Sequence, residues 1–117
     1  MRNMKRRLTS AEIKLISYLV YDTPEGAAII ASLESLFVEE MDDGGMGSLK
    51  VVVEGEDRRR YGGTVADMDS HDVDGMYLLI SVIVDTDHNF YELDIFKGDF
   101  SPLIKIPDVS IDVRCGI

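Results

Sequence analysis

The sequence predicts an α+β domain: two N-terminal helices packed on a mostly antiparallel, five- or six-stranded meander sheet. Three observations predict it. A capping box opens an apolar stripe at helical spacing near the N-terminus. Short β-branched or alternating runs separated by glycine, proline and aspartate fill the chain from residue 37 onward. Two of these runs, Met76 to Asp85 and Phe90 to Lys97, flank the turn Thr86-Asp87-His88-Asn89 and read as one central hairpin. With helices first and strands afterwards, parallel crossovers have no place in the chain.

The helices come first. Thr9-Ser10-Ala11-Glu12 is a capping box, and Ile13, Ile16 and Val20, flanked by Leu15 and Leu19, continue the stripe to about Tyr21. Thr23-Pro24-Glu25 is a second start signal, followed by an apolar run from Ala27 to Leu36. Phe37 to Met41, Ser48 to Val53 and Tyr61 to Met68 supply three strands, with Glu54 to Arg60 a charged loop between the last two. In the central hairpin MYLLISVIVD has eight apolar residues in ten and reads as a buried strand. FYELDIFK alternates, placing Tyr91, Leu93 and Ile95 on one face and Glu92, Asp94 and Phe96 on the other. Gly98-Asp99-Phe100-Ser101-Pro102 ends the strand, and the turn through Leu103 is expected to bury Phe100 and Leu103. Val109, Ile111 and Val113 alternate with polar residues as a last strand.

Length and composition bound the rest. A chain of 117 residues that is 45% apolar builds one core, so residues 1–117 read as a single domain with residues 1–8 as a flexible basic arm. No run reaches the roughly 20 apolar residues a bilayer helix needs, and the lone Cys115 forms no internal disulfide; both point to a cytoplasmic protein without membrane contact. The arm holds Arg2, Lys5, Arg6 and Arg7, which leaves eight basic residues against 22 acidic ones in the body. Such a body repels a phosphate backbone, so nucleic acid is not expected, and a basic protein partner is.

Chemistry-bearing residues are sparse. Asp42-Asp43-Gly44-Gly45-Met46-Gly47 sets paired carboxylates before three glycines, a loop suited either to positive φ angles or to a cation and an anionic ligand. Asp42, Asp43, Gly44, Gly45, Gly47 and Asp99 are the ligand- or partner-binding candidates. No catalytic residue, metal ligand or cofactor is assigned. Asp72-Val73-Asp74-Gly75 and Asp85, Asp87 and Asn89 resemble calcium loops, but the second has Phe90 where an EF-hand needs glycine and Phe96 where it needs glutamate. Both read as turns.

Three stretches, Arg7 to Glu12, DDGGMGSL (Asp42 to Leu49) and ELDIFKGDFSPL (Glu92 to Leu103), resemble a family of small, functionally uncharacterised bacterial domains. In that family the last stretch resembles FELDIWKxDFSPL, with tryptophan where Phe96 stands and phenylalanine where Tyr91 stands. The resemblance implies a bacterial single-domain protein and lends no activity. The expected function is that of a small acidic module capturing a basic partner, as toxin-neutralising immunity proteins do. The alternative is a metal-dependent enzyme or ligand binder using loop 42–47.

Overall fold

The structure, a computed structural model, describes residues 4–109. Helix α1 is Ser10–Val20, opened by the expected capping box: the Thr9 hydroxyl accepts from the Glu12 N–H at 3.2 Å and the Glu12 carboxylate accepts from the Thr9 N–H at 2.8 Å. Its apolar stripe is buried through Leu15, Ile16, Leu19 and Val20. Helix α2, Gly26–Ser32, is shorter than the apolar run suggests. The Ser32 hydroxyl turns back to the Ile29 carbonyl at 2.7 Å, and the chain leaves in turns. Gly26 makes the corner between the helices possible, since a Cβ there would stand 2.0 Å from the Val20 carbonyl oxygen.

The strands are β1 (Phe37–Glu40), β2 (Leu49–Val52), β3 (Tyr61–His71), β4 (Tyr77–Asp85) and β5 (Phe90–Lys97). They form one antiparallel sheet in the order β1-β2-β5-β4-β3. The meander thus covers β3 to β5, and the β1–β2 hairpin joins at β5 through Leu49↔Leu93 and Lys50↔Glu92. The loop after β2 reaches β3 around the β4–β5 turn, where the Arg60 carbonyl accepts from the Thr86 N–H at 3.0 Å.

A bulge corrects one face assignment. Val84 pairs with Phe90 and Ile83 with Glu92, so Tyr91 is the extra residue. Phe90, not Tyr91, therefore joins Leu93 and Ile95 in the core. Tyr91 lies instead beneath Arg59 and Lys50, 4.9 and 5.9 Å from its ring centroid.

Both helices pack on one face of the sheet, against Leu78, Ile80, Val82, Leu93 and Ile95, which are at most 1% exposed. Among the described residues no helix covers the second face, where Leu79, Ser81, Ile83, Glu92, Asp94 and Phe96 alternate with the core residues. Part of the arm read as flexible is tied down: Arg6 and Val38 exchange backbone hydrogen bonds of 2.8 and 2.7 Å, and Leu8 is buried. The sixth strand expected from Val109 finds no strand at Val109, and Ile111 and Val113 lie outside the described residues.

The closing turn is only half as expected. Leu103 packs against the core, but Phe100 is 69% exposed and touches only the edge of the Phe96 ring, with centroids 5.3 Å apart. Its φ is 64°, in the left-handed region. Phe100→Ala should therefore cost no more than about 1 kcal/mol, against roughly 2–5 kcal/mol for Leu93→Ala. Urea unfolding of the two variants checks this, and similar losses would contradict the exposed placement.

Candidate functional site

Strand β5 puts Leu93, Ile95 and Lys97 on the inner face, so period-2 geometry carries a lysine into the core. Its side chain is 0% exposed. An ammonium there needs anionic and hydrogen-bonding partners, and it has three: Asp72 Oδ2 and Asp74 Oδ2, each at 2.8 Å, and the Pro102 carbonyl at 3.1 Å. Asp72, equally buried, also accepts from the backbone N–H groups of Val73 and Ile104 at 2.7 Å and of Lys105 at 3.2 Å. The clasp joins the β3–β4 turn, the end of β5 and the segment after Pro102. Burial alone would raise the Asp72 pKa, but the Lys97 ammonium and the three N–H donors outweigh it and hold the carboxyl at about 2. The loop that resembled a calcium site does hold a cation, and the cation is the chain's own lysine.

The glycine loop is a second structural joint. Asp43 Oδ1 accepts from the N–H groups of Gly45 and Met46 at 3.2 and 3.1 Å, and Oδ2 from Ser48 at 3.1 Å, so this carboxylate organises its own loop. The Ser48 hydroxyl then bridges the Ile95 N–H and C=O at 2.9 and 3.2 Å, docking the loop on β5. The Gly45 carbonyl accepts from Leu103 at 2.9 Å. At Gly47, φ is 100° and a Cβ would stand 2.9 Å from Leu103 Cδ2 and 3.2 Å from Ile95 Cδ1. The two most distinctive strings of the sequence therefore pack against each other.

The candidates from the sequence are only partly brought together. Asp43, Gly45 and Gly47 line a groove of about 200 Å³ with Arg6, Glu12 and Leu103. Asp42 and Gly44 are exposed and do not line it. Asp99 caps the following turn, accepting from the Ser101 N–H at 3.1 Å and hydroxyl at 2.6 Å. In the groove, Arg6 donates to both Glu12 oxygens at 2.8 and 2.9 Å. Burial raises the Glu12 pKa, but Arg6 and the Thr9 N–H bring it below its ordinary value. Among the described residues, no group of three or more His, Cys, Asp and Glu is placed to hold a metal ion. Cys115 lies outside them.

The second sheet face, with Ser81 and Ile83 buried and its acids at the surface, is the remaining chemical surface. In register across three strands stand Asp67, Ser81 and Asp94, and beside them Asp69, Leu79 and Phe96. Glu92 lies opposite Ile83 on one side and Lys50 on the other. Partial burial raises the Glu92 pKa, with Asp94 adding to the shift and Lys50 opposing it. The sequence signal for this face is the alternation Glu92, Asp94, Phe96; its continuation onto β3 through Asp67 and Asp69 needed the strand register. The buried lysine was legible in the same alternation, which sets Lys97 two residues beyond Ile95.

A model of the domain of unknown function DUF6984 matches residues 5–107. No curated protein and no solved structure matches the chain. Among the described residues, no helix is long and apolar enough to cross a membrane.

Two outcomes test these placements. The Asp72 pKa lies near 2 in the folded chain against an ordinary 3.8, so its contribution is complete above about pH 4 and is lost as pH falls toward 2. Between pH 4 and 2 the urea midpoint of the parent chain should therefore fall more steeply than that of Asp72→Asn; parallel curves would remove Asp72 from the account. Gly47→Ala should lose roughly 1–3 kcal/mol through its φ and the crowding by Leu103 and Ile95. A Gly47→Ala/Leu103→Ala double cycle should show coupling, and strict additivity would show that the two do not meet.

Proposed function

We propose, from the premise that the chain belongs to this family of domains of unknown function, that it is a binding module for a basic protein partner. The observation that carries the reading is the second face of the sheet. Among the described residues no helix lies on it, and it carries Asp67 and Asp69 on β3 and Glu92 and Asp94 on β5, either side of β4, with the half-buried Leu79 and Phe96 among them. A rigid antiparallel sheet presents these groups in fixed register, so a partner meets a preformed pattern of charge and apolar surface. The body's excess of carboxylates adds long-range attraction for a basic protein and faster encounter.

The reading assigns the module to the cytoplasm, in keeping with its lone cysteine, and makes it a capture protein in the manner of immunity proteins. The glycine loop and Asp99 support it only indirectly, by fixing the end of β5. DDGGMGSL and the DFSPL string are, on this reading, the folding signature of the module and not its contact surface.

The test is capture from the source cells by the tagged chain at low and moderate salt, followed by titration with the purified partner. One basic protein should be recovered, its affinity falling with salt. Asp67→Asn/Asp94→Asn should weaken it several-fold while leaving the unfolding midpoint within about 0.5 kcal/mol of the parent. Binding indifferent to both salt and these substitutions would overturn the reading.

A further inference from the structure

Among the described residues β3 pairs only with β4, so its other side is an edge, with the segment from Lys105 to Asp108 lying beside its Ser70–His71 end. The direction of its backbone groups follows from the neighbouring hairpin. The Asp72 N–H donates to the Met76 carbonyl at 2.9 Å, while the Tyr77 carbonyl points to β5 and accepts from the Gly98 N–H at 2.8 Å. His71, opposite Tyr77, is therefore at a non-hydrogen-bonded position relative to β4, and its N–H and C=O point outward. Alternation extends this to Asp69 and Asp67, opposite Leu79 and Ser81. These residues offer their main-chain groups to a further strand and set their side chains on the acidic face.

The edge also discriminates between occupants. Bulges between Tyr61 and Gly63 and between Thr64 and Ala66 confine the regular stretch to Ala66–His71, which holds no lysine, arginine or proline. A second copy pairing antiparallel about Met68 would set Asp67 opposite Asp69 twice, and pairing about Asp69 would set that carboxylate opposite itself, both unfavourable like-charge arrangements. A basic strand reverses that sign. Met68, between the acids, and Ala66, before them, turn to the inner face and pack half-buried against the core, leaving apolar surface beside the edge.

We propose that the edge of β3 from Asp67 to His71 takes an extended segment of a partner protein as a sixth strand, with basic residues at alternate positions opposite Asp67 and Asp69 and apolar residues between them beside Met68. This rests on the basic-partner reading and gives the partner's segment its shape and pattern. Backbone pairing supplies the attachment; the two carboxylates and the apolar strip select the sequence.

The probe is an acetylated, amidated peptide of alternating lysine and valine, titrated into the 15N-labelled full chain. Strand addition predicts shifts and slowed exchange at the Asp67, Asp69 and His71 amides. Methylating the lysine backbone nitrogens, which keeps charge and side chains, should weaken binding roughly tenfold or more. Asp67→Asn/Asp69→Asn should weaken it about three- to tenfold at low salt. Equal binding of the methylated peptide, with shifts centred on Glu92 and Asp94, would overturn strand addition and leave the basic-partner reading standing. A captured basic partner displaced by neither peptide would do the same, whereas no salt-dependent partner at all would remove both. Protection of the Asp67 amide in a concentration-dependent dimer without peptide would replace the proposal with self-pairing.

Discussion

The structure depends on one buried charge. Lys97 lies at the end of the inner face of β5, where an ammonium cannot remain without compensation, and the fold answers by bringing the β3–β4 turn and the chain after Pro102 to it. Asp72 is the pivot, since the carboxylate that pairs with Lys97 also accepts from Ile104 and Lys105. Removing Lys97 leaves the Asp72 carboxylate buried without a countercharge, and removing Asp72 leaves Lys97 with only Asp74 and the Pro102 carbonyl, so the pair acts more as a specification of one arrangement than as a gain in stability. With the segment after Pro102 placed in this way, Leu103 reaches both the core and Gly47, and the glycine loop is fixed in turn.

Much of this was legible in local patterns. The Thr9–Glu12 capping box, the apolar stripe of α1 and the strands of the central hairpin follow from periodicity and cap chemistry, which act within a few residues. What escaped depends on contacts distant in sequence. The alternation of β5 shows that Lys97 points inward, but nothing near it shows that Asp72 and Asp74 are its partners. The bulge at Tyr91 shifts that residue out of the core by a mismatch with β4 that β5 alone does not reveal. Phe100 reads as core by composition, yet it is exposed, at a backbone position of positive φ that composition does not reveal.

The candidate site shows the same division. A run of acids and glycines has two physical uses, ligand binding and tight turning, and the hydrogen bonds decide how it is employed here. Asp43 faces its own loop's N–H groups and Asp99 those of Ser101, while the glycines give room to Pro102 and Leu103. Conspicuous strings can therefore mark the joints of a fold, because a joint made by backbone approach tolerates few residue types.

Two sets stand out among the acidic residues. Glu12, Asp43, Asp72, Asp85 and Asp99 each accept backbone hydrogen bonds that cap a helix or close a turn, and Asp57 is held well below the ordinary carboxylate range by Arg59. Asp67, Glu92 and Asp94 cap no helix and close no turn, yet Asp67 and Asp94 stand in register across Ser81, with Glu92 two residues along β5, on the face that no helix among the described residues covers. Dispersed acidity would serve solubility equally well from any position on the surface. On the proposed reading, the carboxylates that stand on one rigid face, beside a strand edge whose main-chain groups point outward at Asp67 and Asp69, have a direction, and a directed charge pattern is the physical basis of selective association.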